Sequence, residues 1–248
     1  MTAALAAVLA VVLAACSAPA PEPAPSTPPP TTAASPSPTP SPTPTGPPPS
    51  ILATALAPSL ELFVDAATPT PAGTLTAAEV TSMPEVPLTL LVTAQDGDRV
   101  QVLVPTTGAT AWVAAGAVAL SATTLRVEVR LAEHLLRVED AGEVVLEVPV
   151  ALGATGVPAP GRYSVTELLS PPAGGSRLGA LAYGLSGSPP LLAQFASGAE
   201  PSGIHGGASA AELGTDGVGG GVRLLDADVL RLANEVGLPL GAPVDVVP

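Results

Sequence analysis

The 248-residue chain has no lysine, and all eight of its basic residues are arginines. Its 21 acidic residues bring the formal net charge to −13. Affinity for nucleic acid comes mainly from many Lys and Arg contacts to phosphate groups, which a chain of this charge cannot provide. The charge balance therefore argues against nucleic acid as a partner and predicts an anionic surface.

Cysteine and aromatic residues are also scarce. Cys16 is the single cysteine, so an intramolecular disulfide is impossible and a cysteine-based metal site cannot form. We expect neither a metal nor a cofactor. The aromatic share is 2% against a hydrophobic share of 47%, so a core must be built mainly from Val, Leu and Ala.

Residues 1–15 form an apolar run that is too short to span a bilayer and ends in small residues, which is typical of a secretory signal peptide. The sequence Leu13-Ala14-Ala15-Cys16 resembles the bacterial lipobox. This resemblance implies that residues 1–15 are removed and that Cys16 is lipidated. Several acyl chains would then anchor the protein stably to the outer face of the cell membrane. The alternative is that Cys16 is an ordinary buried cysteine.

Residues 16–50 contain, besides Cys16, mainly Pro, Ser, Thr and Ala without apolar periodicity, which predicts a disordered linker. Proline-rich chains favour an extended conformation that rises ~3.1 Å per residue, so about 34 residues reach roughly 100 Å. Such a linker would let a membrane-anchored domain extend into the cell wall.

The remainder predicts a mainly β fold in two units. Residues 51–121 alternate polar and apolar positions around a turn at 96–98, and their last segment, 108–120, resembles the end of a bacterial SH3-like module. Residues 122–248 begin with strands around a second hairpin turn at 140–142. Asp226 is expected to be the N-cap of a helix that runs to about Val236, with Gly237 as its stop.

The second unit contains two motifs with possible chemistry: His205-Gly206, and the glycine-rich segment 218–223, which ends in Val222-Arg223. A histidine can act as a general base, but covalent catalysis also needs a nucleophile within hydrogen-bond reach. No cysteine or serine stands where one is expected. Thr215 and Ser209, which carry hydroxyl groups and precede the glycine-rich segment, are not expected to replace the nucleophile, because they lie in a segment predicted to be a loop.

The order of elements in the second unit resembles the L,D-transpeptidase catalytic domain of bacterial cell-wall enzymes. The resemblance covers about residues 123–247: a strand hairpin, a Gly/Pro loop, Gly-Ile-His-Gly, a glycine-rich segment, a helix and a terminal Gly-x-Pro-Val-x-Val strand. It implies an L,D-transpeptidase-like β-sandwich with one helix near the C-terminus, preceded by a small SH3-like β domain as in actinobacterial lipoproteins.

In that family a cysteine thiolate attacks a peptidoglycan stem peptide, releases the terminal D-alanine, and passes the acyl group to an amine of a neighbouring stem. By resemblance, His205 is the base, and Gly206, Gly220 and Arg223 contact the substrate. The family motif Ser-His-Gly-Cys-hydrophobic-Arg aligns with residues 218–223. Gly221 therefore occupies the position of the nucleophile, and Gly219 that of a second histidine.

Each of these residues also has a purely structural interpretation. His205 could be an ordinary hydrogen-bonded histidine at a strand end. Arg223 could hold a substrate carboxylate, or it could pair with Asp226 or Glu212. The backbone N–H groups of Gly219, Gly220 and Gly221 could still bind a carbonyl or carboxylate group.

Three functions remain open at this point. The first is an L,D-transpeptidase-like cell-wall lipoprotein that is catalytically impaired or inactive and binds peptidoglycan stem peptides, because losing the nucleophile of such a site costs about 10⁶-fold in turnover. The second is an active L,D-transpeptidase that forms peptidoglycan cross-links. The third is a structural envelope lipoprotein with a vestigial cleft.

Overall fold

The fold is seen in a computed structural model, which describes residues 46–171, 177–217 and 219–248. The expected signal peptide, Cys16 and nearly all of the linker lie outside these ranges. Strands predominate over helices in the described residues, so the predicted mainly β fold is confirmed. None of the helices in these ranges has the length and apolar character needed to cross a bilayer.

The first part of the described chain builds a five-stranded antiparallel sheet in the order β6-β5-β4-β1-β7, with β2 and β3 paired beside it. The strands are β1 (Ser50–Ala55), β2 (Ser59–Leu62), β3 (Gly73–Thr76), β4 (Thr89–Asp96), β5 (Arg99–Leu103), β6 (Thr110–Ala114) and β7 (Val118–Thr123). A short helix α1 (Ala77–Val80) follows β3, and a 3-10 turn (Ala115–Ala117) precedes β7.

Apolar residues alternate with polar residues along β5 of this sheet, so that one face of the strand packs into the core. Val100 and Val102 of β5 are buried, whereas Gln101 between them is only partly covered. The turn predicted at 96–98 joins β4 to β5, where Gly97 has a left-handed φ of 56°. The SH3-like character of this part, and the division of the chain into two domains near residue 121, stay predictions.

The second part builds a nine-stranded sheet in the order β10-β9-β8-β16-β12-β13-β14-β15-β11. Its strands are β8 (Leu125–Arg130), β9 (Leu135–Asp140), β10 (Glu143–Pro149), β11 (Ala151–Leu152), β12 (Gly161–Leu169), β13 (Ala182–Leu185), β14 (Ile204–His205), β15 (Val222–Arg223) and β16 (Pro243–Val247). The pairs β16-β8 and β14-β15 are parallel, and the other neighbouring pairs are antiparallel.

The predicted hairpin is confirmed between β9 and β10. Ala141 and Gly142 form its turn with φ values of 51° and 93°, as a two-residue type I′ turn requires. The strands around it contribute fully buried valines and leucines to the core, among them Val127, Val129, Leu136 and Val138.

Two helices belong to this second part, α2 (Leu191–Ser197) and α3 (Asp226–Arg231). Helix α3 continues as a π-helical turn to Val236 and stops at Gly237, whose φ is 69°, as predicted. The predicted N-cap is wrong: Leu225 is the N-cap residue, and Asp226 is the first helical residue. The Asp226 carboxylate instead accepts hydrogen bonds from the N–H groups of Ala180 and Gly207. Helix α2 was not predicted.

Candidate functional site

His205 and Arg223 lie side by side because β14 and β15 are parallel and place these two residues in register. Strand β11 pairs with the other edge of β15, with Ala151 opposite Arg223. Both residues are buried, with His205 1% and Arg223 8% exposed. The site is thus formed by three two-residue strands at one end of the large sheet.

The two ring nitrogens of His205 both face backbone carbonyl groups. Nδ1 lies 2.8 Å from the Gly206 oxygen, and Nε2 lies 2.9 Å from the Gly220 oxygen. Burial lowers the pKa of His205, and the nearby Arg223 charge acts in the same direction, whereas the two carbonyl groups act against them. A neutral imidazole has one N–H and can donate to one of these oxygens only.

Gly221, at the position of the expected nucleophile, has a left-handed backbone with φ of 66°. A Cβ atom added there would lie 2.7 Å from the carbonyl oxygen of Gly203 and 3.1 Å from that of Pro201. Both neighbours are backbone atoms, which cannot rotate away as the end of a flexible side chain can. Glycine at this position therefore lets two backbone segments approach closely.

The two preceding glycines are crowded as well. A Cβ atom at Gly220 would collide with the carbonyl group of Pro201. Gly219 has a φ of 70°, and a Cβ atom there would lie 3.3 Å from the Arg223 side chain. The position that aligns with the family's second histidine thus faces the arginine directly.

Two backbone N–H groups next to the nucleophile position are used within the protein. The Gly221 N–H donates to the Thr155 carbonyl at 3.0 Å, and the Val222 N–H donates to the Gly203 carbonyl at 2.8 Å. In acyl transfer, donors near the nucleophile would have to face a developing oxyanion. These two donors do not point at open space.

Arg223 pairs with Glu212, one of the two acids that the sequence suggested. Its Nη1 atom lies 3.0 Å from Glu212 Oε1, and its Nη2 atom donates to the Gly207 carbonyl at 2.7 Å. Hydrogen bonds from Ser209, followed by the bond from Arg223, lower the pKa of Glu212 to about 2. The carboxylate is therefore ionised at neutral pH.

A second arginine, Arg177, lies near the glycine segment. Arg177 donates to Glu200 at 2.7 Å and lies 5.4 Å from the centre of the Phe195 ring. The Glu200 Cβ atom packs against Gly220. Roughly half of the Arg177 side chain is exposed, at 46%. From the sequence, Arg177 is one of three arginines, with Arg162 and Arg223, that could bind an anionic ligand locally, but no motif between residues 171 and 203 predicts its pairing with Glu200.

Solved structures that align with this chain include L,D-transpeptidases. One from Xylanimonas cellulosilytica is 19% identical over 51% of this chain and 62% of its own, with a TM-score of 0.39. One from Mycobacterium tuberculosis is 16% identical over 66% of this chain and 70% of its own, with a TM-score of 0.41. One from Mycobacterium smegmatis is 14% identical over 75% of this chain and 99% of its own, with a TM-score of 0.40.

The chain thus spans less than two thirds of the Xylanimonas structure. No protein-family model and no curated protein matches the sequence. Among the described residues, no three His, Cys, Asp or Glu side chains lie together as a metal site would need.

The lowered pKa of His205 predicts a stability loss in mild acid. Below about 6.5 the unfolded chain binds a proton at this residue, but the native protein does not until its own lower pKa is reached. As the pH is lowered through that interval, the free energy of unfolding decreases by up to about 1.4 kcal/mol per pH unit. Urea unfolding from pH 7.5 to pH 5 measures this slope.

The His205→Gln variant is the control for this pH dependence. It is less stable at neutral pH, because the imidazole packing is lost, but it should lack this part of the slope. An unchanged slope in the variant would assign the pH dependence to other groups.

Proposed function

We propose that the protein is an exported L,D-transpeptidase-like lipoprotein, anchored through Cys16, which binds peptidoglycan stem peptides without catalysing acyl transfer. The observation that carries this proposal is the backbone at Gly221, which has a left-handed φ and lies against the Gly203 carbonyl. Covalent acyl transfer needs a nucleophile with a base in reach. Gly221 offers no side chain, and both ring nitrogens of His205 face backbone oxygens.

The binding part of the proposal rests on the Arg177 pair. Stem peptides end in a carboxylate, and a net charge of −13 gives no general attraction for them, so recognition must be local. The Arg177–Glu200 pair is exposed, and exposed ion pairs contribute little to stability. A ligand carboxylate can therefore replace Glu200 at small cost, with the half-buried Phe195 ring beside it.

Exposure of the purified mature protein to a carbapenem tests the absence of catalysis. We expect no covalent adduct by intact-mass measurement, because acylation needs a nucleophile that Gly221 lacks. An active L,D-transpeptidase treated in parallel serves as the positive control. An acyl adduct on any residue between 46 and 248 would contradict the proposal.

Retention on purified peptidoglycan sacculi tests the binding. We expect Arg177→Gln to weaken retention by up to about fivefold, since an exposed ion pair contributes up to about 1 kcal/mol. Arg162→Gln is the matched control, because Arg162 is also exposed and pairs with Asp245 at 2.7 Å. Equal losses in both variants would indicate a nonspecific charge effect, and no loss in either would favour the structural envelope protein.

A further inference from the structure

The Arg223 guanidinium is a buried cation that the chain neutralises with one of its own side chains. Only 10% of the Arg223 side chain is exposed, and a buried charge of this kind requires an anionic partner. Glu212 supplies that partner from the segment between β14 and β15.

The fit between the two groups is incomplete. One carboxylate oxygen lies 3.0 Å from Nη1, but the other lies 3.5 Å from Nη2, whose short hydrogen bond goes to the Gly207 carbonyl. Arginine and carboxylate groups bind most strongly through two short parallel hydrogen bonds. A free carboxylate, which is not tied to a backbone turn, can adopt a better geometry than Glu212 does.

Glu212 belongs to a local turn that is held at both ends. Within the turn, the Glu212 N–H donates to the Ser209 carbonyl at 3.0 Å, and the Ser209 N–H donates to the Glu212 carboxylate at 2.6 Å. Outside it, Ala208 bonds to the Leu224 carbonyl, and Gly214 bonds to the Val150 carbonyl.

Left-handed glycines lie at both ends of the turn, Gly207 with φ of 83° and Gly214 with φ of 75°. A few such residues are enough to absorb the backbone rotation when a loop moves. Residues 209–213 can thus swing away from Arg223 while the two outer attachments stay in place.

We propose that Arg223 is a carboxylate-binding site that Glu212 occupies, so that a ligand with a free carboxylate binds by displacing the turn 209–212. The site is distinct from the exposed Arg177–Glu200 contact and does not depend on the identity of the cell-wall ligand. Glu212 is then an internal competitor that keeps the site closed.

Acetate is the probe that tests this site in the full-length Glu212→Ala variant. The thermal midpoint is measured in sodium acetate and in sodium chloride at the same ionic strength. For a Kd of about 10 mM, 100 mM acetate should raise the midpoint by about 3 to 6 °C over chloride. The wild-type protein should show a much smaller rise, because acetate must first displace Glu212 from Arg223.

Glu147→Ala is the matched control. It removes the acid from an exposed pair, in which Glu147 lies 2.7 Å from Arg137 Nε, so we expect no acetate-specific stabilisation. Equal midpoints of Glu212→Ala in acetate and chloride would overturn the proposal.

The experiment also tests the proposal if Glu212→Ala fails to fold. Glu212→Ala that is unfolded in chloride but folds in acetate would support the site. If it stays unfolded in both salts and Glu212→Ser, whose shorter side chain also leaves the space beside Arg223 open, shows no acetate dependence, the proposal is wrong.

Discussion

The Gly221→Cys variant, which restores a thiol at the nucleophile position, should lose about 3 kcal/mol of unfolding free energy and gain no transpeptidase activity. A residue with a Cβ atom costs about 1–2 kcal/mol in a left-handed conformation. Overpacking adds about 1–3 kcal/mol, because the Cβ atom would lie 2.7 Å from the Gly203 carbonyl oxygen and 3.1 Å from the Gly203 nitrogen. Relief of these contacts requires movement of the backbone that leads into β14.

Gly108→Cys is the control for the conformational part of this cost. Gly108 has a φ of 68°, nearly that of Gly221, but a Cβ atom there meets nothing within 4 Å. Denaturant unfolding of both variants should therefore show a loss of only about 1–2 kcal/mol for Gly108→Cys. Equal losses would mean that the site has room for a nucleophile.

The double variant Gly219→His with Gly221→Cys extends the test to the chemistry. We expect no carbapenem adduct by intact mass, since a side chain at Gly219 would also press against Arg223. Formation of an adduct would show that the glycine segment can open into a catalytic arrangement, and it would contradict a closed site.

The Glu167→Ala variant should lose about 3 kcal/mol of unfolding free energy. The Glu167 carboxylate is 1% exposed and accepts the Leu191 N–H at 2.6 Å and the Ser82 N–H at 2.8 Å. Its removal leaves both donors without this acceptor, and an unsatisfied buried polar group costs about 1–3 kcal/mol. Urea unfolding measures the loss, and Glu147→Ala on the exposed face of β10 should change stability by less than about 1 kcal/mol.

The effect of Glu167→Ala should extend to the candidate site through α2. Gln194 of this helix accepts the Ser202 N–H at 2.7 Å, and Ser202 directly precedes the Gly203 segment that packs on Gly221. Hydrogen exchange at Leu191 and Ser202 should therefore accelerate together. Faster exchange at Leu191 alone would show that α2 does not hold the 200–203 segment in place.

Local patterns in the sequence were enough to predict much of the framework. The β9-β10 hairpin was predictable because alternating apolar residues flank Ala141-Gly142, which adopts a tight turn. The end of the last helix at Gly237 was predictable because glycine accepts the left-handed conformation. In each case, the residues that fix the structure are neighbours in the chain.

Helix α2 was not predictable by the same reasoning. Its N-cap residue is Pro190, which makes no side-chain cap. Its first N–H groups are accepted instead by Glu167 and by the Ser82 hydroxyl, residues that are distant in the sequence. Similarly, Asp226 resembles an N-cap in the sequence, but its carboxylate accepts a hydrogen bond from the Gly207 N–H, which is distant in the chain.

For the candidate site, the sequence alone determined that Gly221 lacks a nucleophilic side chain, and it named His205 and Arg223 as its neighbours. Only the tertiary structure decided that Glu212 is the partner of Arg223 and that the space beside Gly221 is filled by the Gly203 backbone. The reason is physical. Residue type determines which chemical groups are present, but close approach and charge pairing depend on chain segments that meet only after folding.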